Sequence, residues 1–325
     1  MRLVSHPVLC NYYVTYRCNA KCSFCDIWER PSPFVRLENV EENLCDLKKL
    51  GVKVIDFTGG EPLLHPQIAE FCQLAKKMGF ITTLTTNAMR YERFAGDLTG
   101  QVDMLHFSLD AADAETHNQI RGVKCFESVM EGIKLAKSLG ERPDILFTVS
   151  DSNIEELERI WQSICLPSDL ILIVNPIFDY NAIDNGGGLS AGNIKVLHSW
   201  AWKKNIYLNT AFLSLRERGG NRRDAPVCKA GSTTVVISPE NKLVLPCYHA
   251  GLEEIDIEGS LYALHRSEKV QTLIAQEGRM PTCEGCAINC YMQPSFSVNV
   301  NRYWWLALPS TLRYNWQKGT WKQLI

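Results

Sequence analysis

Val52-Lys53-Val54-Ile55-Asp56-Phe57-Thr58 is a run of alternating, β-branched residues that stops on Gly59-Gly60-Glu61-Pro62. The alternation predicts a strand, and the glycines and proline end it in a turn. The flanks repeat the pattern. Upstream, Val8–Thr15 reads as a strand, and Val40, Leu44 and Leu47 recur at helical spacing. Downstream, Ile68, Phe71, Cys72, Ala75 and Met78 make one helical face, closed by Gly79. Ile81–Thr86, Met104–Leu109, Leu146–Val149 and Leu170–Val174 read as further strands. Between them lie helical faces at Phe126–Ala136 and Ile154–Ile164. Strands that alternate with helices imply parallel βαβ units, and right-handed crossovers would curl six of them into an open (β/α)6 TIM-like barrel. Functional groups in such folds gather where strands end. A cysteine cluster after the first strand, Gly59-Gly60 after the second and Ser108 with Asp110 after the fourth therefore share one mouth.

The character changes after about residue 225. Thr233–Ile237 and Lys242–Leu245 flank Ser238-Pro239-Glu240-Asn241 as a hairpin, a helix is expected over 266–276, and a last group of cysteines follows. This divides the 325 residues into a barrel (1–210), a small α+β domain (211–295) and an aromatic-rich tail (296–325). Thirty-four basic against 36 acidic residues give a net charge of −2, which offers no electrostatic reason to expect nucleic acid. No signal peptide and no long apolar span is found, so the chain is read as cytoplasmic. Thirteen cysteines, an odd number, argue against a disulfide framework. Eight fall in two groups, and the scattered five are read as small buried apolar residues.

The first group is Cys18-Asn19-Ala20-Lys21-Cys22-Ser23-Phe24-Cys25. Three thiolates on one loop can ligate three irons of a cubane [4Fe–4S] cluster and leave the fourth iron open to bind and activate a substrate. This CxxxCxxC resembles the radical S-adenosylmethionine superfamily, including its aromatic before the third cysteine, Phe24. Thr58-Gly59-Gly60-Glu61-Pro62 resembles that family's GGEP element, which holds the methionine amino group of the cofactor. Glycines let backbone carbonyls approach closely, and an ammonium needs such acceptors and a carboxylate, here Glu61. Thr86-Asn87-Ala88 resembles the family's third-strand element, with alanine where the family has glycine. His106-Phe107-Ser108-Leu109-Asp110 resembles its ribose-contacting strand, with Ser108 as hydroxyl partner. Arg121 is read either as a bidentate partner of the cofactor carboxylate or as a loop-stapling arginine.

The second group is Cys228, Cys247, Cys283, Cys286 and Cys290. Its order resembles the twitch domain, the shortened relative of the SPASM domain, which implies one auxiliary [4Fe–4S] cluster. Cys228, Cys247, Cys283 and Cys286 are taken as ligands, Cys290 stays open, and a zinc site of four cysteines is the competing reading. His249 is weighed as a proton acceptor against a structural role, and Asp179, Tyr180 and Asp184 as substrate contacts. The resemblance implies an enzyme that reductively cleaves S-adenosylmethionine to a 5′-deoxyadenosyl radical, which takes hydrogen from a small molecule or peptide. The auxiliary cluster would make the outcome an oxidation or bond formation, with a flavodoxin- or ferredoxin-type protein as reductant. Epimerisation or rearrangement is the alternative, and a non-catalytic iron–sulfur or zinc protein the third. Tyr303-Trp304-Trp305-Leu306-Ala307-Leu308 with Tyr314, Trp316 and Trp321 is read as a tail packed on the barrel, membrane-surface docking being the second reading.

Overall fold

The structure, a computed structural model, describes residues 3–178, 188–249, 251 and 253–321. Among the described residues, ten strands form one open sheet: β1 (Leu9–Thr15), β2 (Val54–Gly59), β3 (Ile81–Thr86), β4 (Met104–Ser108), β5 (Asp144–Val149), β6 (Leu172–Pro176), β7 (Ile206–Tyr207), β8 (Thr234–Ile237), β9 (Lys242–Leu245) and β10 (Glu253–Asp256). Their order is β10-β9-β8-β1-β2-β3-β4-β5-β6-β7, parallel from β8 to β7 and antiparallel at β9 and β10. The six expected strands are present as the centre of a partial barrel that does not close. Two findings differ from the expectation. β7 adds a seventh parallel strand after β6, and the hairpin read as a separate domain joins the same sheet, with Leu9 opposite Thr234.

Period-2 alternation sorts each strand's side chains. On β2, Ile55 and Phe57 are fully buried against Leu44, Leu47, Phe71 and Leu84 of the outer core. The intervening Asp56 faces the other way, in a row with Asn11 of β1 and Thr83 of β3. Helices such as Leu37–Leu50 and Ile68–Lys77 cover the outer face with Val40, Leu44, Leu47, Ile68, Phe71 and Cys72. Gly51 ends the first of them in a left-handed conformation. Burying side chains of this size contributes about 1.5–3 kcal/mol each, so the outer layer fixes the barrel on which the mouth loops rest.

The C-terminal helix Arg302–Lys318 seals the barrel interior at the β4–β7 end. Asn301 caps it, accepting from the backbone N–H of Tyr303 at 2.9 Å and Trp304 at 3.1 Å. Tyr314 packs with Ile171, Ile173 and Tyr207 and donates to Asp144 Oδ2 at 2.6 Å. Lys318 Nζ reaches Asp144 Oδ1 at 3.2 Å, with the two side chains 6% and 0% exposed. Burial pushes the Asp144 carboxyl up, and Lys318 and Tyr314 pull it back. Lys318→Met should therefore cost about 3–5 kcal/mol, because a charge stays buried without its contacting cation. Adding Asp144→Asn should recover much of the loss. Urea unfolding of both variants checks this, and equal midpoints for Lys318→Met and wild type would discard the pair as a stabilising element.

Candidate active site

The loop that follows β1 carries Cys18, Cys22 and Cys25, and it is strapped from both sides. Gly60 N donates to Thr15 O at 2.9 Å and Glu61 N to Arg17 O at 2.9 Å. Opposite, Lys21 N donates to Arg121 O and Ser23 N to Ile120 O, both at 3.0 Å. Glycine is required at each strap. A Cβ on Gly59 would lie 2.0 Å from Thr15 O, on Gly60 2.3 Å from Arg17 O and on Gly122 2.4 Å from Lys21 O. Gly59 also has φ +151° and Gly122 φ +64°, conformations that L side chains rarely adopt. These glycines let protein backbone approach protein backbone, a use the sequence reading did not anticipate.

Glu61 is buried, and its carboxylate has three protein donors. Oε1 accepts from Leu63 N at 2.9 Å and Thr86 Oγ1 at 2.7 Å, and Oε2 from Asn87 N at 2.8 Å. A carboxylate accepts about four hydrogen bonds, so one acceptor site is left for a ligand. Glu61 thus clamps the end of β3 before it does anything else. Pro62 starts the short turn that presents it. Asn87 continues the clamp into the cysteine loop, its Nδ2 donating to Asn19 Oδ1 at 2.8 Å. Ala88, where the resembled element has glycine, adopts φ 65°, a left-handed conformation costing a non-glycine residue about 1–2 kcal/mol.

Arg121 lines the smaller cavity and also ties the cysteine loop to the fourth strand. Its Nη2 lies 2.7 Å from Asp110 Oδ2, its Nη1 3.7 Å from Cys22 Sγ, and its guanidinium stands 5.4 Å from the centre of the Phe24 ring. Asp110, expected beside the cofactor, is fully buried behind Arg121 and is not on the cavity wall. It accepts from Thr148 N through Oδ1, and its own N–H donates to His117 Nδ1 at 3.1 Å. The fourth strand's contribution to the mouth is therefore Ser108, with Asp110 holding Arg121 behind it. Sequence reading missed His117, whose role depends on a contact seven residues away in the chain.

A cavity of about 260 Å³ lies under the loop, lined by Cys18, Cys22, Phe24, Cys25, Gly59, Gly60, Glu61, Asn87, Ser108 and Arg121. Asp56, Thr85 and Cys290 line its floor side. Nothing in the sequence singled out Asp56. Burial raises its carboxyl to about 7, against a hydrogen bond from Thr83. Burial likewise pushes the Cys18 thiol to about 12 and Cys25 to about 11. Both must lose a proton on binding a metal, which the metal's own charge drives.

A second cavity of about 710 Å³ is lined by Cys228, Cys247, Cys283 and Cys286. Cys290 is not on its wall. Phe178, Tyr248 and His249 line both cavities and stand between them. The rings of Phe178, Tyr248 and Tyr291 surround His249 at 5.2–5.8 Å, and burial lowers it to about 4, so it is neutral near pH 7. Asn221, fully buried and unnoticed in the sequence, ties the cysteine segments together. Its Oδ1 accepts from Val227 N and Cys228 N, and its Nδ2 donates to Gly278 O and Cys283 O. Among the described residues no three His, Cys, Asp or Glu side chains converge tightly enough for a single metal ion. Asp179, Tyr180 and Asp184 lie outside the described residues.

Residues 12–164 match the radical SAM superfamily, the span that holds the cysteine loop, both glycine straps and most of the smaller cavity's wall. Over that span the chain carries a radical SAM domain, the domain of a superfamily whose enzymes bind a [4Fe–4S] cluster and S-adenosylmethionine. It is 26% identical over 150 residues to the S-adenosylmethionine-dependent nucleotide dehydratase RSAD2 of Siniperca chuatsi, covering 44% of this chain and 42% of that protein. It is 36% identical over 125 residues to the GTP 3′,8-cyclase of Chlorobaculum tepidum, covering 37% of this chain and 38% of that one. The alignments thus span about two fifths of these relatives' length. In fold, the chain is similar to SuiB of Streptococcus suis bound to S-adenosylmethionine (TM-score 0.66, 18% identity, 82% of this chain and 67% of that one). It is also similar to anSMEcpe with bound AdoMet (TM-score 0.64, 17% identity, 96% of this chain and 98% of that one).

Proposed function

We propose that this chain cleaves S-adenosylmethionine reductively at a [4Fe–4S] cluster held by Cys18, Cys22 and Cys25, and carries a second cluster on Cys228, Cys247, Cys283 and Cys286. The observation that carries the second half is the division of the last five cysteines: four share the larger cavity and Cys290 belongs to the smaller. When bound, the first cluster supplies one electron to the sulfonium, which opens to methionine and a 5′-deoxyadenosyl radical. The chain's residues then hold the parts in place. The remaining acceptor site of Glu61 takes the cofactor ammonium, Ser108 a ribose hydroxyl, and Phe24 with Ile27 and Trp28 keeps water off the reacting centre. Asp56 and Cys290 face the substrate from the floor side.

The net reaction is read as an oxidation or bond formation on a small molecule or peptide in the cytoplasm, with a flavodoxin- or ferredoxin-type reductant. A peptide is supported by the neighbours, since SuiB is described with its precursor peptide SuiA and anSMEcpe with a Kp18Cys peptide. A nucleotide is the second reading, from the named activities of the cyclase and the dehydratase. Against a triphosphate, Arg121 is the one ammonium or guanidinium on the described wall of the smaller cavity, and Asp110 already occupies it.

Metal analysis tests the proposal. Anaerobically reconstituted wild type should hold about eight irons per chain. The variant with Cys228, Cys247, Cys283 and Cys286 all changed to alanine should hold about four and still form 5′-deoxyadenosine, while Cys290→Ala should keep about eight. One tightly held zinc with only four irons would replace the auxiliary cluster by a structural zinc.

A further inference from the structure

The helix Arg302–Lys318 is amphipathic in an inverted sense. Its inner face carries the polar bonds to Asp144, together with buried Ala307, Ser310 and Tyr314. Its outer face is Trp305, Pro309, Leu312 and Trp316, at steps of four, three and four residues, which is one stripe on a helix. The three large residues are 63%, 60% and 70% exposed. A solvent face of a globular protein is ordinarily polar, and this stripe has no polar side chain along about 17 Å of helix. Trp321 stacks on Trp316 at 5.3 Å and extends the stripe. Trp202, 60% exposed, stands next to Lys203, whose carbonyl accepts from Arg313 Nη2 of this helix at 2.8 Å. Every tryptophan of the described residues above one half exposure thus belongs to this helix or to the loop bonded to it.

Charge narrows the occupant. Residues 188–208 and 299–321 contain no aspartate or glutamate. They present Lys195, Lys204 and Arg302 exposed, with Lys203 and Arg313 half-buried. A second copy docking face to face would set this cationic surface against itself. No helix among the described residues is long and apolar enough to cross a membrane. Acids from other elements pack against these segments, but Asp169 is paired with Arg142 and Glu217 faces His198. Tryptophan, apolar and wet-edged, favours the boundary between lipid headgroups and acyl chains, and a surplus of basic residues favours anionic lipid. We propose that this face seats the protein on an anionic membrane surface, with Arg302–Lys318 lying in the plane of the interface and the barrel mouth left to its substrate.

The test is cosedimentation of reconstituted protein with vesicles of phosphatidylcholine alone or with about one third phosphatidylglycerol. Wild type should partition onto the anionic vesicles, at least about tenfold more strongly than the Trp305→Ser/Trp316→Ser variant, and weaken in high salt. Tryptophan emission should shift to the blue on binding. Because both residues are exposed, the variant should keep its circular dichroism and its rate of S-adenosylmethionine cleavage. Absence of vesicle binding, or equal binding by wild type and variant, would overturn the proposal. So would a dimer in light scattering that the variant loses while neither form binds vesicles, which would assign the face to contacts between copies.

Discussion

Protein with Cys18, Cys22 and Cys25 all replaced by alanine is expected to lose 5′-deoxyadenosine formation to below detection and to drop from about eight irons to about four. Only thiolates of this loop line the smaller cavity together, apart from Cys290 on its floor side, so no other set of soft donors can take their place. Their geometry is fixed before metal arrives. Lys21 and Ser23 are pinned to the 120–121 backbone, and Arg121 stands 3.7 Å from Cys22 Sγ, where its positive charge complements a ligating thiolate. Single replacements should nearly match the triple one, because a cubane held by two protein thiolates is bound weakly and its function is shared by the whole set. Deoxyadenosine is followed by chromatography under strong reductant, and iron is counted on the same sample. Undiminished cleavage in the triple variant would end the assignment of this loop. The auxiliary cavity provides the internal control, since its cysteines lie in a separate pocket and should keep their own iron.

Much of this is legible in the sequence, because strands and helices of the barrel bury an outer face that leaves its period in the chain. Ile81–Thr86 reads with the bounds it has, and β1, β2, β4 and β6 within two residues at each end. The cysteine loop and the two glycines are legible too, since their spacing is local. What escapes is set by partners far away in the chain. β8 pairs with β1 across more than two hundred residues, so the hairpin gives no sign of sharing the barrel's sheet. Asp144 begins β5 in a position where a lone acid reads as loop, and its direct partners Tyr314 and Lys318 come from the last helix. That helix is itself hidden, because Pro309 lies inside it and reads as a break, and its polar groups face inward while its tryptophans face out. The sequence directs Asp110 toward the cofactor and leaves Arg121 between cofactor and loop, and gives no sign that the two form an ion pair at 2.7 Å. Their chemistry is readable; which partner each takes is a matter of which side of β4 faces the mouth.

Gly60→Ala is expected to remove most of the cluster while leaving the barrel folded. The added methyl would lie 2.3 Å from Arg17 O and 2.5 Å from Tyr16 O, and both are backbone atoms of the loop that bears the cysteines. Neither can rotate away as a side chain could. The loop must lift off the β2 turn, which breaks the bonds from Gly60 N to Thr15 O and from Glu61 N to Arg17 O. Overpacking of this kind costs about 1–3 kcal/mol, a loss the outer core can absorb. Function is less tolerant. A shift of about 1 Å at residue 17 moves Cys18 out of register with Cys22 and Cys25, which the opposite strap at Arg121 and Gly122 still holds in place, and a misplacement of that size can cost about a hundredfold in rate. Iron after reconstitution should fall toward the auxiliary cluster's four, and cleavage of S-adenosylmethionine by at least about tenfold. Gly96→Ala is the matched control. It lies inside the helix Tyr91–Leu98, its Cβ would meet nothing within 4 Å, and alanine there should stabilise by about 1 kcal/mol. If Gly60→Ala cleaved S-adenosylmethionine like wild type, the tight strap would be incidental, and the need for glycine would have to come from contact with the cofactor itself.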